Sequence, residues 1–165
     1  MNVKFLLGLL VCAALGLTAC SKTCSVKADE KPSEVATTGS AGTPEDFEAN
    51  VPSKIYFKFD RSDLTEAGKN NAKVQAAWLN TYPNTTATVE GHTDERGTAE
   101  YNMALGARRA ESTKEALVRE GVNSDRLTTI SYGKDRPVAV VDRSNQLKAA
   151  EAHAKNRRTE TIINR

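Results

Sequence analysis

Cysteine is scarce in this chain, neither charge predominates, and no apolar run is long. Only three cysteines occur among the 165 residues, too few for a disulfide scaffold or a cysteine-based metal site. The 23 lysine and arginine residues nearly balance the 21 acidic ones, so we expect no nucleic-acid partner. The longest apolar run, from Phe5 to about Leu17, is shorter than the about 20 residues that a membrane-spanning helix needs.

The N-terminal segment has the pattern of a secretory signal peptide. Lys4 precedes the apolar run, and the run ends in the sequence LTAC. This ending resembles the lipobox of bacterial lipoproteins, in which the Cys is lipidated and becomes the first residue. We therefore predict a signal peptide over residues 1–19 and a lipid anchor on Cys20. An ordinary signal peptide with a chance Cys, or a buried N-terminal helix, are the alternatives.

The anchor and the other cysteines follow from this interpretation. The resemblance implies three acyl chains on Cys20, and stable attachment to a membrane needs about two such signals. Ser21 stands where the family's inner-membrane retention signal has an Asp, which favours the outer membrane. Cys12 leaves with the signal peptide, so Cys24 alone remains as a thiol, and we interpret it as an idle linker residue.

The next segment has the composition of a disordered tether. Residues 20–50 are rich in small, polar and charged residues, and Phe47 is the one large aromatic among them. Such a segment cannot bury enough apolar surface to offset the entropy of ordering. About 30 residues of flexible chain span roughly 30 Å on average and at most ~100 Å. The tether would let a domain act away from the membrane.

Residues 51–165 are predicted to form one domain. Alternating or β-branched segments indicate strands at 53–60, 85–92, 126–133 and 157–164, and helical periodicity indicates helices within 64–83, 99–120 and 145–155. This β-α-β-α-β-α-β order predicts one sheet with helices packed on it. The predicted inner faces carry Ala67, Val74, Trp78 and Leu79 on the first helix and Met103, Ala107, Ala110 and Leu117 on the second.

The segment from Val89 to Glu111 concentrates the polar chemistry of the domain. His92, Asp94 and Glu95 have the atoms of metal ligands, but their spacing at a strand end is poor and no second ligand cluster follows. No nucleophile signature is present, and an acid pair drawn from Asp60, Asp94 and Glu95 is not enforced by the sequence. We therefore predict neither a metal site nor an enzyme.

A site for a small zwitterion explains the cluster better. Asp94 ends a strand, and Arg109 lies on the following helix on the same face as Leu105, so both can face one groove. The acid would pair with an ammonium and the guanidinium with a carboxylate, which together are the head of an amino acid. Two alternatives stay open here: Asp94 as a helix N-cap, and the arginines as a solvated face with strand-end ion pairs, namely Arg108, Arg109, Arg157 and Arg158.

Several motifs carry a specific resemblance to a known family. The segments YFKFD, SDLT, VEGHTDERGTAEYNMALGARRA, LTTISYGKDRP and AKNRRTETII resemble, in this order, an OmpA-like peptidoglycan-binding domain. With the lipobox and the tether, the whole chain is similar to the peptidoglycan-associated lipoproteins of the Tol–Pal system. The resemblance implies an α+β fold in which a mixed four-stranded sheet is flanked by helices.

The resemblance also implies a ligand and the residues that hold it. In that family a groove holds the diaminopimelate of the peptidoglycan stem peptide without covalent linkage. The ammonium-binding acid falls on Asp94 and the carboxylate-binding arginine on Arg109. The other positions carried over line the pocket or neighbour it: Phe59, Asp60, Thr93, Arg96 and Leu105. Asn102 and Asn156 match motif residues that are structural as often as contacting.

The family's biology is implied in the same way. The resemblance implies an outer-membrane lipoprotein facing the periplasm that tethers this membrane to the cell wall in envelope integrity and cell division. It implies docking to the TolB propeller over a surface that overlaps the peptidoglycan site, and it implies no cofactor. Residues 138–156 depart from the commonest family pattern, so the family's partner contacts are not carried over to this segment. The rivals are an OmpA-domain lipoprotein without Tol partners and a periplasmic wall hydrolase.

Overall fold

A computed structural model describes residues 40–164 of the chain. The predicted signal peptide, Cys20, Cys24 and the first part of the predicted tether lie outside the described residues, as does Arg165. Nowhere between residues 40 and 164 does a helix have both the length and the apolar character needed to cross a membrane.

Helices and strands alternate along the described chain. The helices are α1 (Pro44–Asn50), α2 (Glu66–Thr81), α3 (Ala99–Arg119) and α4 (Gln146–Asn156), and a 3-10 turn (Ser124–Arg126) precedes the third strand. The strands are β1 (Lys54–Tyr56), β2 (Thr86–His92), β3 (Leu127–Gly133) and β4 (Arg158–Asn164). The predicted order is confirmed from β1 onward, and α1 is an additional element.

The four strands form one mixed sheet in the order β1-β4-β2-β3. The β4 strand is antiparallel to both β1 and β2, whereas β2 and β3 are parallel. The α+β class and the mixed four-stranded sheet are therefore confirmed. In this topology the C-terminal ends of β1, β2 and β3 and the N-terminal end of β4 lie at the same end of the sheet. The loops that follow the first three strands therefore lie close together.

Local capping explains where the helices begin and end. Thr98 precedes α3 and its hydroxyl accepts a hydrogen bond from the Tyr101 amide at 3.2 Å, as an N-cap does. The alternative in which Asp94 caps this helix is therefore wrong. At the other end, Gly121 has a φ of 94°, a conformation that ends helices readily because glycine lacks a Cβ.

The core lies between the sheet and one face each of α2 and α3, but the predicted helix faces are only partly right. Leu79 and Leu117 are buried as predicted, whereas Val74 and Met103 are exposed. The reason is that polar side chains occupy part of the inner faces. Gln75, for example, is buried and accepts a hydrogen bond from the Thr161 hydroxyl at 2.9 Å. A prediction from apolar residues alone therefore places the buried face of the helix at the wrong angle around its axis. Ala67 and Ala107 are likewise exposed.

Helix α1 belongs to the folded domain and corrects the predicted boundary between residues 50 and 51. Phe47 is 1% exposed and packs edge-on against Trp78, with ring centroids 5.0 Å apart. The Asp46 carboxylate accepts a hydrogen bond from the Trp78 indole nitrogen at 3.0 Å. Thr43 caps the helix. The composition of the tether concealed this helix because a single buried aromatic side chain anchors it.

Helix α3 lies unusually close to β2 because two glycines face each other. A Cβ atom on Gly91 would lie 2.0 Å from the Gly106 carbonyl oxygen, and one on Gly106 would lie 2.3 Å from the Ser131 hydroxyl. That hydroxyl donates to the Met103 carbonyl at 2.7 Å. This close approach holds the first half of α3 against the end of β2, where the candidate site lies.

Candidate functional site

A groove of about 210 Å³ opens where the strand ends meet. All seven residues predicted for the ligand site line this groove: Phe59, Asp60, Thr93, Asp94, Arg96, Leu105 and Arg109. Four further residues complete the lining: Gly97, Tyr101, Asn102 and Arg157. Loops after β1 and β2, the first half of α3 and the residue before β4 thus contribute to one concave surface.

Arg109 forms the floor of the groove and is fully buried. Its Nε donates to the Arg61 carbonyl at 2.8 Å, and its Nη2 donates to the Lys58 carbonyl at 3.2 Å. Its Nη1 donates to the His92 carbonyl at 2.9 Å. One guanidinium therefore fastens the loop after β1 to the end of β2. The alternative of a solvated arginine face is wrong at this position.

The guanidinium of Arg109 keeps capacity for a ligand. Arginine has five N–H donors, and three of them serve the carbonyl groups just described. Burial lowers the pKa of Arg109 to about 10, and the positive charge of Arg157 acts in the same direction. The group stays protonated at neutral pH, so the groove has a permanent cation at its floor.

Asp94 is nearly buried and is already paired with two arginines. Its Oδ2 lies 2.5 Å from Arg96 Nη2 and 3.2 Å from Arg157 Nη1. Burial raises the pKa of the Asp94 carboxyl, but the hydrogen bonds from Arg96 and Arg157 outweigh it, and the net pKa lies below the ordinary value. The second oxygen, Oδ1, accepts only a 3.3 Å bond from the Arg96 amide, so the carboxylate has a site left for an ammonium group.

Arg96 lies over the mouth of the groove. Its guanidinium stacks on the ring of Phe59 at 4.0 Å, and its side chain is 45% exposed. Asp94 and Arg109 themselves offer almost no accessible surface. A ligand that reaches them must therefore displace neighbouring side chains, and Arg96 is the more exposed of the two arginines that pair with Asp94.

Asp60 lines the groove and sits in a strained turn. Its φ of 57° is uncommon for a residue other than glycine. Its carboxylate accepts a hydrogen bond from the hydroxyl of Tyr101, which raises the pKa of that phenol. Arg109 binds the carbonyls of residues on both sides of this turn, Lys58 and Arg61. Arg109 therefore also holds the turn that contains Asp60 in place.

The two motif asparagines hold loops in place. Asn102 donates to the carbonyls of Arg96 and Thr98 at 2.8 and 2.9 Å, which shapes the loop before α3. Asn156 accepts from the amides of Val138 and Ala139, both at 2.9 Å, and donates to the Ala139 carbonyl. Asn102 lines the groove as well, whereas Asn156 shapes the departing segment 138–156.

Arg157 is the main site residue that the sequence interpretation missed. It was grouped with solvated or strand-end arginines, yet its side chain is 15% exposed and bridges Asp94 to the Phe57 carbonyl at 3.1 Å. The signal that could have found it is the antiparallel pairing of β4 with β2, which places the start of β4 beside the end of β2. No sequence pattern gave that pairing.

His92 was weighed as a metal ligand, and its ring does not line the groove. The ring is buried, stacks on Tyr132 at 5.6 Å, and has no hydrogen-bond partner on either nitrogen. Burial lowers the pKa of His92 to about 4, so its 3.5 Å contact with Glu90 is not an ion pair at neutral pH. Across residues 40–164, no group of three or more His, Cys, Asp or Glu side chains is placed to hold a metal ion.

Comparison with known proteins gives consistent matches. The model of the OmpA family matches residues 56–157. The peptidoglycan-associated lipoprotein of Agrobacterium fabrum is 45% identical over 122 residues, covering 74% of this chain and 66%, just under two thirds, of that relative. The protein of the same name from Haemophilus influenzae is 38% identical over 156 residues, covering 94% of this chain and 95% of the relative.

A solved structure agrees with these matches. The crystal structure of the peptidoglycan-associated lipoprotein from Burkholderia pseudomallei superposes with a TM-score of 0.62 at 33% identity. The alignment covers 68% of this chain and 90% of that one. The family match spans the groove from the loop after β1 to Arg157. The chain therefore belongs to the OmpA family, within the group of peptidoglycan-associated lipoproteins.

Proposed function

We propose that this chain is a non-catalytic lipoprotein of the outer membrane that binds peptidoglycan from the periplasmic side. Its groove takes the diaminopimelate of the stem peptide without covalent linkage. The observation that carries this proposal is that Asp94 and Arg109, groups of opposite charge, line one groove of amino-acid size. The family membership and the names of the relatives support the same ligand.

The charges of the groove suit a zwitterion. Three arginines and two acids line it: Arg96, Arg109, Arg157, Asp60 and Asp94. A ligand ammonium takes the free position on the Asp94 carboxylate, and its carboxylate takes guanidinium donors that the protein leaves unused. The two acids would repel a purely anionic ligand, and the three arginines would repel a purely cationic one. A head group with both charges matches both sets.

Attachment to the membrane completes the proposed tether. Cys20 supplies the lipid anchor, and the predicted linker between the anchor and α1 shortens to residues 21–43 because α1 is folded. About 23 residues reach ~80 Å when fully extended. Many copies on one membrane raise the effective affinity through avidity, so a single groove need not bind tightly. We further propose that the chain acts in the Tol–Pal system, with TolB as a partner.

The proposal is tested by sedimenting the purified chain with cell-wall sacculi. Asp94→Asn removes a ligand-facing charge and keeps the side-chain shape, and we expect it to weaken binding about tenfold or more, because a hydrogen bond to a charged group contributes roughly 1.5–3 kcal/mol. Glu95→Gln is the matched control, since it makes the same chemical change one residue away on an exposed side chain paired with Arg143.

Competition and product analysis separate the alternatives. Free diaminopimelate should compete for binding, whereas Nα-acetyl-lysine amide, whose side chain ends in an ammonium without a carboxylate, should compete poorly. Release of soluble wall fragments during the incubation would instead indicate a wall hydrolase. Equal binding of the Asp94→Asn and Glu95→Gln variants to sacculi, with both fully folded, would place the wall contact outside the groove.

A further inference from the structure

A second concave surface lies beside the groove, along helix α4. This α4 trough has a volume of about 450 Å³ and is lined by Phe59, Arg96, Gln146, Ala149, Ala150, His153 and Arg157. Three of these residues, Phe59, Arg96 and Arg157, also line the groove. The two surfaces are therefore continuous, and the stacked Phe59 and Arg96 side chains form the ridge between them.

The charge of the α4 trough differs from that of the groove. Two acids line the groove, whereas no acidic side chain is among the described residues that line the trough. Arg96 and Arg157 border it, and each spends only part of its guanidinium on Asp94 and the Phe57 carbonyl. A carboxylate in the trough would meet arginine donors that Asp94 and Phe57 leave unused, with no acidic side chain in the described lining beside it.

The shape of the α4 trough limits what can accompany that carboxylate. Ala149 and Ala150 give it a floor of methyl groups, and the half-exposed ring of Phe59 gives it an apolar wall. A small apolar side chain can cover this surface, and Gln146 supplies an amide for a peptide group.

The α4 trough is built by the segment that departs from the family pattern. Gln146, Ala149, Ala150 and His153 all belong to residues 138–156. Asn145 caps α4 by accepting from the amides of residues 147 and 148, and Asn156 holds the loop before it. The residues that differ from the family pattern thus form one face of a capped helix.

We propose that the α4 trough binds the residue that follows diaminopimelate in the ligand, a residue with a small apolar side chain and a free carboxylate. This inference rests on the proposed function, since it assumes the zwitterion in the groove. Diaminopimelate has two amino-acid heads, and only the one outside the peptide backbone is a free zwitterion. Phe59 lines both surfaces, so a backbone that leaves the groove across its ring enters the trough when one more extended residue advances it by about 3.5 Å.

The test compares three synthetic peptides by isothermal titration on the unaltered chain. The first ends in diaminopimelate with its backbone carboxyl amidated, the second carries an added alanine with a free carboxylate, and the third carries the same alanine as a carboxamide. We expect the second peptide to bind about tenfold more tightly than the first and the third, since one charged hydrogen bond is gained.

A pair of variants locates the gain. Ala150→Glu places an acid in the α4 trough at an exposed helical position, and the affinity ratio of the second to the first peptide should fall to about one. Leu147→Glu makes the same charge change on the same helix at a residue that is 84% exposed and outside the trough, and the ratio should stay near ten.

The outcomes separate this inference from the proposed function. If the first peptide binds and the alanine adds nothing, the trough is not a subsite while the groove proposal stands. A gain that survives Ala150→Glu overturns the inference too. If none of the peptides binds, the groove proposal fails and the subsite fails with it. The carboxamide comparison uses the unaltered chain, so it decides the matter even if a variant does not fold.

Discussion

At the scale of single residues, Arg109 is structural as well as a candidate ligand residue. Removing its side chain in Arg109→Ala leaves three backbone carbonyls without their donor. We expect a loss of about 3 kcal/mol or more in the free energy of unfolding. Urea unfolding measures it, with Arg108→Ala as the control, because Arg108 is exposed on the same helix and should change stability by about 0.5 kcal/mol at most.

The expected loss of stability affects the interpretation of binding measurements on Arg109→Ala. Loss of an arginine that only faces the ligand would weaken binding and spare the fold. The structure instead predicts that Arg109→Ala weakens both. A variant that unfolds at the same urea concentration as the unaltered chain would show that the three carbonyl contacts contribute little. Asp94→Asn keeps the side-chain shape and the three carbonyl contacts of Arg109, so it is the cleaner test of the ligand site. Its urea midpoint is measured beside its binding, because Asp94 also pairs with Arg96 and Arg157.

His92 gives the domain a dependence on acid. The pKa of His92 is lowered from 6.5 to about 4 in the folded state, chiefly by burial, so between these values the unfolded chain binds more protons than the folded one. Stability contributed by the neutral ring is complete above about pH 6.5 and is lost as the pH falls toward 4. We expect a decrease of about 2–3 kcal/mol over this window.

The His92→Phe variant isolates this effect. It replaces a ring whose two nitrogens have no partner with a ring that does not titrate. Urea midpoints measured at pH 7 and pH 4.5 should differ clearly for the unaltered chain and less for the variant. Equal pH dependence in both would assign the acid sensitivity to the carboxylates instead.

How much of the site the sequence predicts depends on how local each contact is. Asp94 and Arg109 could be predicted because they belong to one strand–helix unit whose geometry follows from residue spacing. The pairing of Asp94 with Arg157 could not, because 63 residues separate them and only the strand order joins them. The same holds for the Arg109 contacts with Lys58 and Arg61.

At the scale of elements, helix α1 is expected to contribute measurably to stability. Phe47→Ala removes a fully buried aromatic side chain from the Trp78 contact, and such changes cost about 3–5 kcal/mol. Glu48→Ala is the control, because Glu48 is exposed on the next position of the helix. Thermal melting of both variants should show a large drop for Phe47→Ala alone. If the two melt alike, the domain begins after α1.

Element positions were predicted more accurately than element faces. The start of α3 follows from Thr98 and its end from Gly121, both of which are local signals. The buried faces of α2 and α3 depend on partners across the sheet, as with Thr113 and Thr159, whose hydroxyls lie 3.0 Å apart. From the sequence alone, two threonines of this kind are predicted to be exposed to solvent, and only the strand order shows that they are buried together.

At the scale of the whole molecule, the lipid anchor remains a prediction from the sequence. Cys20→Ser should block lipidation and leave the precursor uncleaved at this site. Incorporation of labelled fatty acid measures the effect, and Cys24→Ser is the matched control, since it removes the other cysteine of the predicted mature chain. Incorporation into Cys20→Ser at the level of the unaltered chain would contradict the lipoprotein assignment.

The two ends of the sheet have a mechanical consequence. Helix α1 packs on Trp78, near the turn that leads into the start of β2, whereas the groove lies at the end of that strand. A pull between the tethered end and the groove therefore acts along the strands. The hydrogen bonds that β4 makes with β1 and β2 in its antiparallel pairs are perpendicular to this direction, so they are sheared together rather than opened in succession. We therefore expect the domain to resist tension best along the line on which an anchored, wall-bound chain would be stretched.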